Sequence, residues 1–229
     1  SLIFLIKISR TFKKKALIKR KKRPTKEGLI PLSIRLGIIA VPLSLGGIVF
    51  PLMQIVDATI VPLRLQSIGF SVSQATEQFG QLSGMATTLI HLPGILTIAL
   101  STSLVPAIHE GIFVKNFELV KGRIRTALRG TYLLMLPAAV GIGVLATPIS
   151  CLLFDLAEVG KTLAVLAPGI LFFGLYQVTA GIIQGLGKTY LPTLNLLVGV
   201  ILKTYLSYWL VTWPFLGIRG AALATVMGF

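Results

Sequence analysis

Long apolar stretches with very few charged residues dominate this sequence. From Leu36 to Val61 the one charged residue is Asp57, and comparable stretches recur to the end of the chain. Hydrophobic residues make up 54% of the chain and charged residues 13%, with a mean hydropathy of +0.87, whereas a soluble domain usually carries about 25% charged residues. A soluble fold cannot bury this much apolar surface. The sequence therefore predicts an all-α, polytopic transmembrane helix bundle.

The apolar stretches predict five full spans and a truncated sixth within residues 31–229. Each full span is long enough to cross roughly 30 Å of hydrocarbon at about 1.5 Å per residue. The full spans are predicted at about 36–61, 79–105, 132–152, 163–183 and 191–213, and the truncated one at 218–229. Pro51 and Pro93 interrupt the first two, and in lipid such breaks persist only where neighbouring helices or a water-filled cavity satisfy the freed carbonyls.

The segment near 107–130 combines an apolar stripe with a basic face. Its apolar residues recur at a spacing of three to five, and its cations are Lys115, Lys121, Arg123, Arg125 and Arg129. This pattern is typical of a helix that lies in the headgroup plane. An interfacial helix is therefore predicted near 107–130.

The basic run from Lys7 to Lys26 sets the expected orientation of the chain. Eleven of its residues are Lys or Arg, and the predicted inner loops hold 17 cations against three in the outer ones. The positive-inside rule places this run in the cytoplasm. Its simplest role is a topological anchor, with contact to substrate phosphates as an alternative. The net charge of +15 also suggests a nucleic-acid arm, but the apolar remainder favours the lipid bilayer as partner, with no nucleic acid.

Both ends of the chain suggest a larger protein. There is no initiating Met, Ser1–Ile8 is too short to span a bilayer, and 218–229 stops inside an apolar stretch. No signal-peptide pattern is visible. The chain is therefore expected to be one part of a transporter-sized protein.

The sequence contains no recognisable catalytic constellation. Walker A, GxSxG, HExxH and Asp-rich Mg²⁺ motifs are missing, and the single Cys151 excludes a multi-cysteine metal site. His91 and His109 are better interpreted as packing or interface residues than as metal ligands. The sequence predicts no enzyme, no cofactor and no metal site.

Polar residues in the first span form the first part of a candidate site. Gln54 and Arg64 lie about one turn before and two turns after Asp57, so the three side chains can share a helix face. Ionisable groups within a span are costly and usually face a bundle interior or an aqueous cavity. Two interpretations stay open: a polar lining of a transport path, or a structural Asp57–Arg64 pair at the helix end.

Lys203 supplies the second part of the candidate site. It lies near the middle of the fifth predicted span, and Asn195 is eight residues earlier on the same face. A lysine at this depth either faces a cavity, where it receives an anionic headgroup, or extends towards water. Its distance from both span ends favours the cavity. The predicted substrate pathway comprises Gln54, Asp57, Arg64, Asn195 and Lys203.

Several short motifs, in order along the chain, resemble those of the MOP exporter superfamily, in its polysaccharide-transport, stage V sporulation protein B-like branch. They are Gln54-x-x-Asp57 with Arg64-Leu65; Gly80 with Gly84-Met85-Ala86; Leu92-Pro93; Ser103 to Ile108 (SLVPAI); Gln184 to Lys188 (QGLGK) with Pro192 and Lys203; and Gly217 to Ala222 (GIRGAA) with Ala224-Thr225. Each motif is weak alone, and their order and spacing make the resemblance specific.

The resemblance implies a fold and a function. In that superfamily two six-helix lobes face each other across a central cavity and are joined by a basic linker. Residues 1–8 would end a preceding transmembrane helix, 9–30 would be the cytoplasmic linker, and 31–229 would form the second lobe, with the first lobe as the missing partner. The implied function is a flippase that moves polyprenyl-pyrophosphate-linked saccharides by alternating access, in cell-wall or spore-cortex synthesis.

Two other functions remain open at this point. One is a multidrug or toxic-compound cation antiporter of the same superfamily, which would need acidic residues in its cavity. The other is a non-transporting membrane scaffold, which has no reason to tolerate kinks and buried charges. The intramembrane cation Lys203 favours an anionic cargo over the cationic cargo of an antiporter.

Overall fold

The computed structural model describes residues 29–213 and 215–229, with side chains at residue 44 and from residue 46 onward in those ranges. The predictions for Ser1–Ile8 and for the basic run Lys7–Lys26 lie outside the described residues. The chain divides into two units, Ser1–Val41 and Pro42–Phe229. Residues 29–41 of the first unit are helical, and the packing and sites below belong to the second.

Ten α-helices and one π-helical turn account for almost all of the described residues. The helices are α1 (Leu29–Ser67), α2 (Val72–Gly80), α3 (Thr87–His91), α4 (Gly94–Phe113), α5 (Phe117–Val144), α6 (Ala146–Phe154), α7 (Ala157–Leu166), α8 (Gly169–Gly185), α9 (Tyr190–Leu210) and α10 (Ile218–Gly228); the π-helical turn is Gln81–Ala86. No strand occurs among these residues. The all-α prediction is confirmed for this part of the chain.

Four described helices are long and apolar enough to cross a membrane. They are Gly46–Ser67 within α1, and α4, α5 and α9. A fifth candidate is the pair α7 and α8, which meet at an angle of 46°. Their exposed surfaces carry many large apolar side chains, among them Ile55, Leu133 and Ile201, as expected of helices that face lipid. The chain is a multi-pass membrane protein.

The predicted interfacial helix over 107–130 does not form as one helix. α4 ends at Phe113, and α5 starts at Phe117 and continues to Val144. Lys115 has a left-handed backbone with φ 57°. The Lys115 N–H donates to the Ile112 carbonyl, and the Asn116 N–H donates to the Gly111 carbonyl. These two hydrogen bonds form the Schellman motif that ends many helices. The Asn116 side chain then accepts from the Leu119 N–H and caps α5. Lys115 therefore lies between the two helices, and the other four cations lie in the first half of α5, because local capping outweighs the amphipathic pattern.

The second predicted span, 79–105, is broken in the structure. It contains the π-helical turn at Gln81–Ala86, the short α3, and a break at Leu92 and Pro93 before α4 begins. In this turn the backbone hydrogen bonds join residues five apart instead of four. The Thr87 hydroxyl donates to the Leu82 carbonyl at 2.7 Å. Breaks of this kind within apolar helices are often functional.

The other spans differ from their predicted bounds in smaller ways. α1 continues as one helix through Pro51, so the expected interruption there is not seen; a proline removes one backbone donor without necessarily ending a helix in lipid. The third predicted span ends early at Val144 and is followed by α6. The fourth is bent between α7 and α8, where Pro168 ends the regular hydrogen bonding.

α8 packs closely against α4 and α5 through its glycines. A Cβ on Gly181 would lie 2.9 Å from the Ser101 backbone oxygen, and one on Gly174 would lie 2.6 Å from Met135. Polar groups cross the same contact, since Ser101 Oγ donates to the Gln177 carbonyl at 2.8 Å. Small residues and interhelical hydrogen bonds are the usual basis of helix association in membranes.

Gly181→Leu should destabilise the α4–α8 contact, because the added side chain has no room beside Ser101. We expect a loss of about 1–3 kcal/mol, the usual cost of overpacking, seen as a lower midpoint of thermal unfolding of the full-length protein in detergent. Gly141→Leu is the matched control, since a Cβ at Gly141 meets nothing within 4 Å. Equal midpoints for the two variants would contradict the packing described here.

Candidate functional site

A buried ion pair joins α1 to α9. The Lys203 ammonium lies 2.5 Å from a carboxylate oxygen of Asp57, and the two side chains are only 8% and 14% exposed. Isolated ions are too costly to leave in an apolar bundle, so buried charges are found in pairs. The lysine predicted to face a cavity and the aspartate predicted to line a path are thus direct partners.

The inward position of Lys203 follows from the pattern of α9. Ser207, one turn later, and Val211 after it are also buried, whereas Ile201 and Tyr205 on the other side are exposed. This is the helical periodicity of a buried stripe. Lys203 lies on that stripe, in contact with the bundle interior and away from the lipid-facing side.

Glycine at position 228 makes room for the lysine stem. A Cβ on Gly228 would lie 2.9 Å from the Lys203 Cβ, and a Cβ on Gly199 would lie 2.6 Å from the Gly228 carbonyl oxygen. α10 can approach α9 this closely at the level of Lys203 because both positions lack side chains. The close approach holds the lysine stem between two helices, with its ammonium directed to α1.

The ion pair lines a cavity of about 330 Å³. Its polar lining comes from α1, the π-helical turn, α3, α9 and α10, and comprises Gln54, Asp57, Ser83, Thr87, His91, Lys203 and Thr225. The remaining lining is mostly apolar and aromatic. Such a mixture of apolar walls and a few convergent polar groups is typical of a binding site.

Hydroxyl groups in the lining can accept hydrogen bonds. Ser83, Thr87 and Thr225 donate to the Phe79, Leu82 and Ala221 carbonyls, respectively. Each hydroxyl oxygen keeps lone pairs after its proton has been used. The cavity therefore offers acceptors to hydroxyl donors, in addition to the ammonium of Lys203.

His91 is held by aromatic neighbours at one side of the cavity. Its ring lies 4.6 Å from the Phe173 ring and 6.2 Å from the Phe50 ring, both in edge-to-face arrangements. These contacts fix the imidazole near the ion pair. The sequence placed His91 in an apolar stretch as a packing residue and did not include it in the site.

Arg64 does not pair with Asp57. Its guanidinium carbon lies 3.3 Å from the centre of the Tyr208 ring on α9, a cation–π contact. The structural Asp57–Arg64 pair considered from the sequence is therefore wrong, because Lys203 takes the carboxylate. Arg64 is a second link between α1 and α9, outside the residues that line the cavity.

The structure brings together three of the five residues predicted for the pathway. Gln54, Asp57 and Lys203 line the same cavity. Asn195 is exposed and, like Arg64, does not contribute to that lining. The sequence analysis did not assign Ser83, Thr87 or Thr225 to the site, although Thr225 belongs to the motif at Gly217 to Thr225. Nothing in the sequence pointed to Gly228, whose role depends on the approach of α10 to α9.

Comparison with known proteins gives a consistent assignment. The family model for the lipid II flippase MurJ matches residues 84–229, which is more than half of the chain. Stage V sporulation protein B of Bacillus subtilis (strain 168) is 34% identical over 175 residues, covering 75% of this chain and 33% of that protein. The lipid II flippase MurJ of the same organism is 26% identical over 196 residues, covering 83% and 35%.

A solved structure shares the fold. An outward-facing multidrug resistance transporter of the MATE family, in the MOP superfamily, matches with a TM-score of 0.67 and 18% identity, over 83% of this chain and 41% of that chain. This chain spans about a third of the length of the curated relatives named above. The resemblance to MOP exporters inferred from the motifs is confirmed, and the chain belongs to the lipid II flippase MurJ family.

Proposed function

We propose that this chain forms part of a flippase that moves lipid-linked oligosaccharide or polysaccharide precursors across the bacterial cytoplasmic membrane. Transport would proceed by alternating access, in cell-wall or spore-cortex synthesis, without covalent chemistry on the cargo. The observation that carries the proposal is the buried Asp57–Lys203 pair in a polar cavity, within a chain of the MurJ family.

The cargo explains why such a cavity is needed. A pyrophosphate-linked saccharide cannot enter hydrocarbon, because its charges and hydroxyls would lose their hydration. Hydroxyl acceptors in the cavity replace water around the sugar, while the polyprenyl tail stays in lipid. The Lys203 ammonium, with three donors, can replace part of the water around a phosphate.

Because Lys203 is paired with Asp57, a phosphate can bind the lysine only in competition with that carboxylate. In the empty cavity Asp57 balances the charge of Lys203, so the pair carries no net charge. A phosphate competes with the Asp57 carboxylate for the same ammonium, and one cation cannot neutralise a pyrophosphate alone. We infer that further cations come from the first lobe or from the basic run Lys7–Lys26, which we place in the cytoplasm.

The remaining domain assignments follow the superfamily architecture. In this proposal residues 1–8 end a preceding transmembrane helix, 9–30 form the basic linker and 31–229 form most of the second lobe. The missing first lobe supplies the other side of the transport path. The π-helical turn at Gln81–Ala86 and the 46° bend between α7 and α8 are where the lobe would adjust during access changes.

The ion pair also weighs against the two alternatives. A cation antiporter needs a carboxylate free to bind its cargo, and Asp57 already contacts Lys203. A scaffold has no use for a buried charge pair, since apolar residues in the same places would be at least as stable. The likeness to a multidrug transporter concerns the fold.

Removing one partner of the pair should destabilise the protein more than removing both. Lys203→Gln or Asp57→Asn alone leaves an unpaired buried ion, at a typical cost of about 3–5 kcal/mol. The double variant Asp57→Asn with Lys203→Gln should recover most of that loss in the thermal unfolding of the full-length protein in detergent. Losses that simply add in the double variant would show that the two groups do not interact.

The transport role can be tested with the full-length protein in vesicles. Lys203→Gln should lower the rate of headgroup translocation of a polyprenyl-pyrophosphate saccharide by at least about tenfold, the equivalent of one charge-assisted hydrogen bond. Headgroup accessibility from each side of the vesicle measures that rate. The double variant should be as slow, although it folds stably.

Matched controls and a second readout separate the possible functions. Lys161→Gln removes an exposed cation of α7 and should translocate at the unmodified rate. Efflux of cationic drugs, measured in parallel, should be absent in both the unmodified protein and the Asp57→Asn variant. Unmodified headgroup translocation in the double variant would overturn the site assignment, and drug efflux that depends on Asp57 would favour the antiporter.

A further inference from the structure

A second cavity opens on the outside of the helix bundle and shares no lining residue with the cavity of the ion pair. It is a groove between α4 and α5 with a volume of about 950 Å³. Small residues at helical spacing create it, Ser103 and Ala107 on α4 with Gly122, Thr126 and Gly130 on α5. Because these side chains are short, an open groove remains between the two helices. We call this cavity the α4–α5 groove.

Exposed leucines flank the α4–α5 groove. Leu96, Leu119 and Leu134 contribute to its lining and are 55%, 41% and 45% exposed. Along α4 the lining runs from Leu96 to Ala107, a distance of about 16 Å at about 1.5 Å per residue. That length is close to the depth of one leaflet, about half of the roughly 30 Å hydrocarbon core.

Arg123 is the one charged residue in the groove lining. Its guanidinium donates to the Ala107 carbonyl and lies 3.9 Å from the Glu110 carboxylate. These contacts hold it where the last turns of α4 meet the first turns of α5. The Glu110 side chain is 72% exposed, so this long ion pair is weak. The guanidinium has five donors, and most remain free for an anion.

The end of the groove that holds Arg123 is positively charged. The segment 107–130 carries the five cations Lys115, Lys121, Arg123, Arg125 and Arg129 against the two acids Glu110 and Glu118. Lys121 pairs with Glu118 at 3.0 Å, with both side chains largely exposed. Arg125 and Arg129 are exposed one turn apart on α5. The field at this end therefore attracts anions.

We propose that the α4–α5 groove binds one anionic phospholipid of the inner leaflet. An acyl chain lies along the groove, and the phosphate accepts hydrogen bonds from the guanidinium of Arg123. An acyl chain enters from surrounding hydrocarbon, so filling the groove requires no dehydration. A transmembrane helix in the same place would have to bury Arg123 or bring its own acid, whereas an anionic lipid supplies the matching charge. This site stands apart from the proposed transport function.

Lipid binding can be measured by native mass spectrometry of the full-length protein. The probes are phosphatidylglycerol and phosphatidylcholine with identical acyl chains. We expect the unmodified protein to bind phosphatidylglycerol about tenfold more tightly, the equivalent of one charge-assisted contact. Arg123→Gln should remove that preference, and Gly122→Leu, which fills open space in the groove, should weaken the binding of both lipids.

Two matched variants act as controls. Arg125→Gln removes a neighbouring exposed cation that does not line the groove, and Gly141→Leu adds a side chain to α5 where a Cβ meets nothing. Gly141→Leu should bind as the unmodified protein does. Arg125→Gln weakens the field at this end of the groove, so it should lose some affinity for phosphatidylglycerol, but clearly less than Arg123→Gln. An equal loss in Arg125→Gln and Arg123→Gln would mean diffuse surface attraction and would overturn the site. Equal affinity of the unmodified protein for the two lipids would overturn it as well.

A crosslinking measurement keeps the proposal testable if a variant misfolds. Phosphatidylglycerol with a photoactivatable acyl chain should label the unmodified full-length protein within 96–107 and 119–134. Labelling confined to other segments would overturn the proposal. So would a crosslink that places another helix, or the polyprenyl tail of a transport cargo, in the α4–α5 groove.

Discussion

The Asp57–Lys203 ion pair is the interaction on which the interior of this chain depends. Hydrocarbon does not tolerate unpaired ions, so a lysine in the middle of α9 can be accommodated only if a carboxylate meets it. The 2.5 Å contact sets the rotation of α1 and α9 about their axes, because a turn of either helix would separate the charges. Arg64 on Tyr208 strengthens the same pairing of helices. Such pairs add little net stability, and their value lies in specifying one arrangement.

The helices around the pair divide into closely packed and broken ones. α8 contacts α4 and α5 through glycines and shared hydrogen bonds, which allow little adjustment. By contrast, the cavity is bordered by a π-helical turn and short helices. The closely packed side therefore has regular helical backbone. The irregular backbone lies at the polar cavity, where other groups can form hydrogen bonds with its N–H and C=O groups.

In both cavities a cation needs a counter-ion, but the two cavities supply it differently. The inner cavity pairs its cation with Asp57 and is charge-balanced when empty. The α4–α5 groove holds Arg123 near the end of the helices, where only an exposed glutamate lies close. An intramembrane cation must carry its own counter-ion, whereas one at the headgroup level can take its counter-ion from the lipid. The depth of a cation in the bilayer therefore decides whether it needs a counter-ion from the protein.

Much of the fold could be predicted from local properties of the sequence. Apolar length indicated the helices, and α9 and α10 lie within a few residues of their predicted bounds. The boundary between α4 and α5 was mispredicted, because the apolar spacing on either side of Lys115 and Asn116 looks continuous. A capping residue and one left-handed backbone angle outweighed that pattern.

The sequence favoured inward positions for Asp57 and Lys203, since an ion in so apolar a stretch is costly unless it faces the bundle interior or a cavity. It could not determine that they are partners, because 146 residues separate them and Arg64 is much nearer to Asp57 along the chain. The pairing depends on helix packing, in which glycines at 199 and 228 let α10 approach α9 and the lysine extends to Asp57 on α1. Hydropathy is a property of each segment, whereas the choice of counter-ion depends on which helices can approach each other.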